Sequence, residues 1–362
     1  MITKVKETPF SPTTEFSTLQ PVAGMPRFAA LDGWRGVSIL LVMAGHLFPL
    51  GPSRLQLNAP VAALGMAIFF CLSGFLITTT LLYRPSVVEF LIRRLFRIVP
   101  LAWGFSVVAL TVAHAAWPVY QAQLLFYSNL PPFMLTAYTG HLWSLGVEMQ
   151  FYLLIAVLCL VFGRRGVWSV PLLCVLVTAH RIESHNYISI VTWLRVDEIL
   201  AGGTLALIAK EARLERARRV IAWINPWCLL PFAFAACCDW SGPLNYARPY
   251  LVSSMVGATV LGDGLSGAVR CLRARWLVYV AAISYALYIF HPIVNWGWLS
   301  AGPPLVKYAK RAPALLGVLG LAHLSTFYFE DGWIGLGKRL SKRWRQRRGT
   351  IFATTHGSPK DH

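Results

Sequence analysis

About ten runs of mostly apolar residues, each near the length that crosses a bilayer as a helix, fill the chain between residues 31 and 329. Hydrocarbon offers no water to backbone N–H and C=O groups, so such runs fold only as helices that satisfy their own hydrogen bonds. They lie near 31–50, 61–82, 98–117, 142–162, 167–180, 188–209, 220–238, 249–265, 276–299 and 312–329. The fifth is short and the eighth is rich in Gly and Ser. Charged residues make up only 13% of the chain and mean hydropathy is +0.56, whereas soluble domains are about 25% charged. The expected fold class is an all-α integral membrane protein, a bundle of about ten transmembrane helices.

The net charge of +18 does not point to nucleic acid, because Lys and Arg stand in short clusters between the apolar runs. That arrangement marks cytoplasmic loops. With both termini inside, only Arg54, Arg181, Arg248, Lys307, Lys310 and Arg311 of the 33 Lys and Arg fall outside, and Arg195 falls within a span. Both termini are therefore expected to be cytoplasmic, and the Lys307–Arg311 cluster stands against the rule. Three regions follow: a disordered cytoplasmic tail over 1–28, rich in Ser, Thr and Pro with no signal-peptide pattern; a membrane domain over 29–335; and a basic cytoplasmic tail over 336–362, drawn to anionic lipid. The seven cysteines show no metal or disulfide spacing. No metal site is expected.

Ionisable residues inside the runs cost free energy in lipid and so mark candidate sites. In "LDGWRGVSILLVMAGHLFPLG" Arg35 and His46 stand eleven residues apart. At 100° and 1.5 Å per residue they share one helix face within about 20°, roughly 16 Å apart along the axis. Arginine suits a phosphate and histidine suits general-base work; a topogenic charge and a packed, hydrogen-bonded histidine are the plain readings. Arg93, Arg94 and Arg97 in "EFLIRRLFRIVPLAW" would make an anion site, or serve only topology. His141, Ser144 and Glu148 in "GHLWSLGVEMQFYLL" lie at i, i+3 and i+7 on one face. They form a site, a hydrogen-bonded knot or a serine triad, and the triad lacks the strained elbow that exposes its serine. Arg195, Asp197 and Glu198 in "TWLRVDEILAGG" and His291 in "ISYALYIFHPIVNW" read as structural or site-shaping groups.

"LDGWRGVSILLVMAGH", "FFCLSGFLIT", "FLIRRLFRIVPL", "HLWSLGVEMQFYLL", "RVDEILAGG" and "ISYALYIFHP", in this order, resemble the type-3 acyltransferase family of bacterial integral membrane O-acyltransferases. The resemblance covers roughly residues 29–330. It implies transfer of an acyl group, commonly acetyl, from cytoplasmic acyl-CoA to a sugar hydroxyl of a cell-surface or exported glycan, in the bacterial inner membrane. It places the family's arginine–histidine motif on Arg35 and His46, its paired arginines on Arg94 and Arg97, its glutamate on Glu148 and its late histidine on His291. Met149 stands where the family has a second glutamate, and Glu330 in "YFEDGWIG" lacks the proline that usually follows the terminal glutamate.

The resulting expectation is that Arg35, Arg93, Arg94 and Arg97 hold the phosphates of acyl-CoA, which is a co-substrate and not a resident cofactor. His46 takes the proton of the acceptor hydroxyl, and Glu148 steadies the imidazolium. His141, Ser144, His291, Arg195 and Asp197 line the acceptor or hold the helices together. A transporter or flippase of acyl groups or lipid-linked sugar is the alternative, and it would consume no CoA.

Overall fold

The computed structural model describes residues 29–84, 86–262 and 270–355, with side chains as far as Arg347. The expected tail over 1–28 lies outside the described residues. Among the described residues there is no strand. The helices are α1 (Ala29–Leu47), α2 (Asn58–Tyr83), α3 (Val87–Val112), α4 (Trp117–Leu124), α5 (Trp143–Phe162), α6 (Val170–Glu183) and α7 (Asp197–Lys210). They continue as α8 (Glu215–Trp223), α9 (Pro226–Ala235), α10 (Arg248–Leu261), α11 (Arg275–Ala282), α12 (Ser284–Phe290), α13 (Pro304–Leu324) and α14 (Asp331–Thr355).

α2 is the hub of the bundle. Its most apolar stretch is 83% buried, against 39% for α3 and 17% for the long final helix. It packs on α1 and α7 through backbone contact that only glycine permits. A Cβ on Gly74 would lie 1.8 Å from the Ile199 carbonyl oxygen, and one on Gly202 would lie 1.9 Å from that of Cys71. In lipid such close approach replaces the hydrophobic driving force.

α3 begins with a serine N-cap. Ser86 accepts the Glu89 N–H. The Glu89 carboxylate then meets Arg345 and Ser341 of α14 and Arg93 of its own helix. This clamps α14 along the first turns of α3. α13 and α14 are joined through a wide π-helical turn, Ser325–Glu330, whose Glu330 is buried and accepts from Ser325 and Thr326.

Among the described residues, four helical stretches are long and apolar enough to cross a membrane: Asn58–Tyr83, Val87–Val112, Gly140–Glu183 and Pro304–Arg347. A fifth arises if Arg275–Ala282 and Ser284–Asn295, bent by 58°, count as one broken span. The sequence suggests about ten, and the physical reasons for the difference are local. α1 has 19 residues, but Asp32, Arg35 and His46 dilute its apolar character. α6, α7 and α10 have 14 residues each and α9 has 10, short of the roughly 20 that span a bilayer. Asn225 caps α9 and Pro226 opens it, which cuts the run at 220–238. A 3-10 turn at Thr192–Leu194 cuts the run at 188–209.

Three of the cations expected on the outer side are buried. Arg181 and Arg248 are not loop charges: they are 1% and 0% exposed. Arg181 pairs with Asp197, and Arg248 Nε donates to Glu198 at 2.6 Å, with Arg195 Nε 3.5 Å from the same carboxylate. The guanidinium of Arg195 also lies over the rings of Phe70 and Trp143. This buried cluster ties α6, α7 and α10 together, which places Arg195 and Asp197 in a structural knot. Arg311 is buried too, and donates to the Leu47 carbonyl at 2.5 Å.

Candidate active site

Two cavities stack along one face of α1. Arg35, Ser38, Ile39 and Val42 line the first, and His46 lines the second. The face expected from the Arg35–His46 spacing is therefore the face that borders both. Arg94, Arg97 and Ile98 of α3, Ser144, Glu148 and Tyr152 of α5, and Tyr285 and Tyr288 of α12 complete the first cavity. Its free volume is only about 50 Å³. The second holds about 350 Å³ and is bordered by His46, His141, His291, Tyr138, Asn295 and Trp296.

The arginine cavity draws on α3 through two of its three candidates. Arg94 and Arg97 line it, and Arg94 also lies over the Phe90 and Tyr152 rings. Arg93 does not. It donates to Ser341 at 3.0 Å and lies 3.8 Å from Glu89, so it braces α14 and stands outside the lining of this cavity. Glu148 is buried in the wall of this cavity, where it accepts from Ser73 at 2.8 Å and Tyr152 at 2.6 Å. It makes no hydrogen bond to His46, whose ring meets His291 instead. A buried carboxylate among arginines satisfies charge and shapes the arginine cavity.

The partner of His46 is His291. Nδ1 of His46 and Nε2 of His291 are 3.0 Å apart, with the rings within 7° of parallel. Nδ1 of His291 lies 2.7 Å from the Tyr288 carbonyl, which only accepts. In the neutral pair that fixes every proton. His291 donates from Nδ1, its Nε2 accepts from His46 Nδ1, and His46 Nε2 is left with a lone pair. His291 is 1% exposed while His46 is open to the cavity. The lone pair therefore belongs to the reachable ring and the orienting ring is behind it.

Tyr288 joins the cavities. Its hydroxyl donates to the His141 carbonyl and accepts from Ser144 Oγ at 2.6 Å. Ser144 is thereby committed to a tyrosine and forms no triad. His141 Nε2 donates to the Ile289 carbonyl at 3.2 Å, and its ring meets His291 edge-on with centroids 5.4 Å apart. Among the described residues no three His, Cys, Asp or Glu converge as metal ligands.

His46 sits in the last turn of α1, where carbonyls lack helical partners. The Ala44 carbonyl accepts the Phe48 N–H, and the carbonyls after it are met by side chains. Asn58 Nδ2 donates to Gly45 and Phe48, Asn295 Nδ2 to His46, and Arg311 to Leu47. A cation there also suits the negative end of the helix dipole. Arg311, which stood against the charge rule, is thus a helix cap. Tyr288, Asn58, Asn295 and Arg311 were not among the sequence candidates. Tyr288 carried a signal, since "SYALYIFH" puts a tyrosine one turn before His291. The others carried none.

The acyltransferase domain family matches residues 28–329. A Komagataeibacter xylinus protein named as a membrane-bound transacylase, BcsY, is 26% identical over 329 residues, covering 80% of this chain and 78% of that one. The peptidoglycan O-acetyltransferase OatA of Listeria monocytogenes is 25% identical over 316 residues, covering 74% of this chain and 49% of that one. The chain thus spans about half of the listerial relative. No solved structure matches the chain.

Proposed function

The chain belongs to this acyltransferase family, and on that premise we propose that it transfers an acetyl group from cytoplasmic acetyl-CoA to a sugar hydroxyl of a cell-surface or exported glycan, with His46 as general base. Arg35, Arg94 and Arg97 bind the phosphates of the donor, since a guanidinium pairs with phosphate at two points. The thin pantetheine arm runs along α1 toward His46, about 16 Å away. His46 Nε2 takes the proton as the acceptor oxygen attacks the thioester carbonyl. Collapse of the tetrahedral intermediate forms the ester and expels CoA thiolate, which receives that proton. His291 holds the reacting tautomer, the part an aspartate plays in hydrolase triads.

The observation that carries this reading is the proton chain from the Tyr288 carbonyl through His291 to the open Nε2 of His46. Two further observations favour a sugar acceptor. Asn295 Oδ1 and Trp296 Nε1 are buried without a hydrogen-bond partner, an acceptor and a donor beside the cavity that a polyol supplies. Tyr138 and Trp296 lie edge to face, centroids 4.8 Å apart, in the same wall. Both termini on the cytoplasmic face fit the α14–α3 clamp, because Arg94 and Arg97 lie beside Arg93 and share their cavity with Arg35. The inner membrane of a bacterium follows from acetyl-CoA on one side and an exported glycan on the other.

The test incubates membranes holding wild type or His46→Ala, at matched protein levels, with labelled acetyl-CoA and extracted cell polysaccharide. Base-labile label with wild type alone supports the reading. Equal label in both removes His46 as the base.

A further inference from the structure

A third space lies against α3 further along the helix than the arginine cavity, toward its C-terminal half. Pro100, Gly104 and Val108 form one wall, and Leu321, Leu324 and Phe329 of α13 and the π-helical turn form the other. It encloses about 630 Å³ and no charged residue lines it. Its rims are exposed: Val108 is 63% and Leu324 56% accessible.

Three observations say what belongs there. Gly104 is exposed in mid-helix, and a Cβ built on it meets nothing within 4 Å. Glycine in a helix interior costs about 1 kcal/mol relative to alanine, and here it serves no packing within the chain, so it keeps the floor open. The facing wall is a π-helical turn, a feature that recurs at functional sites. The groove also shares Trp296 with the histidine cavity, and its Phe105 lies edge-on to His141 at 5.7 Å. It shares no lining residue with the arginine cavity. Its occupant is therefore continuous with the acceptor side of the site and not with the donor side.

We propose that the groove between α3 and α13 seats the hydrocarbon chain of a lipid-linked acceptor, whose sugar headgroup reaches His46 past Trp296. This rests on the acyl-transfer reading above and names its acceptor class. The groove extends from Ala109 to Pro100, about 14 Å along the axis. It gives a bilayer-anchored substrate a sideways path to a base that sits at the end of α1. Burying a few methylenes of the chain adds affinity at about 0.8 kcal/mol each.

The test compares wild type and Gly104→Phe in membranes, with labelled acetyl-CoA and two acceptors. One is polyprenyl-diphosphate-linked oligosaccharide extracted from the producing cell. The other is the same oligosaccharide released by mild acid. Leu321→Trp fills the groove from the facing wall as a second variant. Both filling variants are expected to lower kcat/KM for the lipid-linked acceptor about tenfold, the equivalent of about 1.4 kcal/mol, and to leave the released one unchanged. Equal loss on both acceptors, or loss on neither, overturns the groove's role while the acyl transfer stands. Loss seen only with palmitoyl-CoA as donor also overturns it, because the donor's own chain then fills the groove. If wild type labels neither acceptor, the acyl-transfer reading fails and the groove's role falls with it.

Discussion

His46 and His291, 245 residues apart in the chain, share a 3.0 Å hydrogen bond between parallel rings. The bond joins the last turn of α1 to the helical turn after α12. It turns two ordinary imidazoles into an oriented pair with one open lone pair.

The two rings have unequal parts. His46→Ala is expected to lower kcat by about 10²–10⁴, the usual share of a positioned base. His291→Ala is expected to lower kcat less and to leave KM for the donor unchanged, since the ring behind only orients. Steady-state CoA release from matched membranes reads both. A donor KM that rises with the loss of His291 would place that ring in the donor path instead.

The arginines divide in two. Arg94→Gln and Arg97→Gln each remove charged hydrogen bonds worth about 1.5–3 kcal/mol, so KM for acetyl-CoA should rise about tenfold or more. Arg93→Gln should leave KM alone and loosen α14, which donor titration and limited proteolysis of the C-terminal helix distinguish.

Glu148→Ala should act mainly on stability. It strands the Ser73 and Tyr152 hydroxyls and removes a buried counter-charge, at about 3 kcal/mol. Thermal unfolding in detergent checks this, and Tyr152→Phe should cost about 1 kcal/mol by the same measure. A Glu148→Ala protein as stable as wild type but inactive would return the carboxylate to the chemistry.

Arg311→Ala uncaps the turn that carries His46. A lost helix cap costs about 1–2 kcal/mol, so a modest fall in Tm is expected together with a fall in kcat at unchanged donor KM. A fall in Tm with full activity would show that the end of α1 does not depend on its cap for function.

Sequence periodicity placed Arg35 and His46 on one face, because helix geometry over eleven residues is a local property. The opposite wall was out of reach. His291 meets His46 only through the packing of α1 against α12 and the turn that follows it, and no spacing encodes that. The same limit explains Arg181, Arg248 and Arg311, which the sequence places on the outer side without saying that they are buried. Whether a cation is solvated or buried depends on a carboxylate or carbonyl far along the chain. Arg93 and Arg94 differ by one residue and so point about 100° apart, yet which of them faced the cavity required knowing where α14 lies. The bounds of the short helices were not legible because apolar content measures what a segment tolerates, not where its turns fall.

The knot of Arg181, Arg195, Asp197, Glu198 and Arg248 bears on how the chain is made. α6, α7 and α10 are each too short, and their ends too charged, to partition stably into lipid alone. Asp197 meets its partner from α6 and Glu198 has Arg195 three residues before it, but the shorter bond of Glu198, to Arg248, comes 50 residues downstream. Insertion of this third of the bundle is therefore cooperative. A nascent chain halted before residue 248 would hold Glu198 by Arg195 alone, without the 2.6 Å bond that ties α7 to α10, and should settle this third of the bundle less firmly than the full chain does.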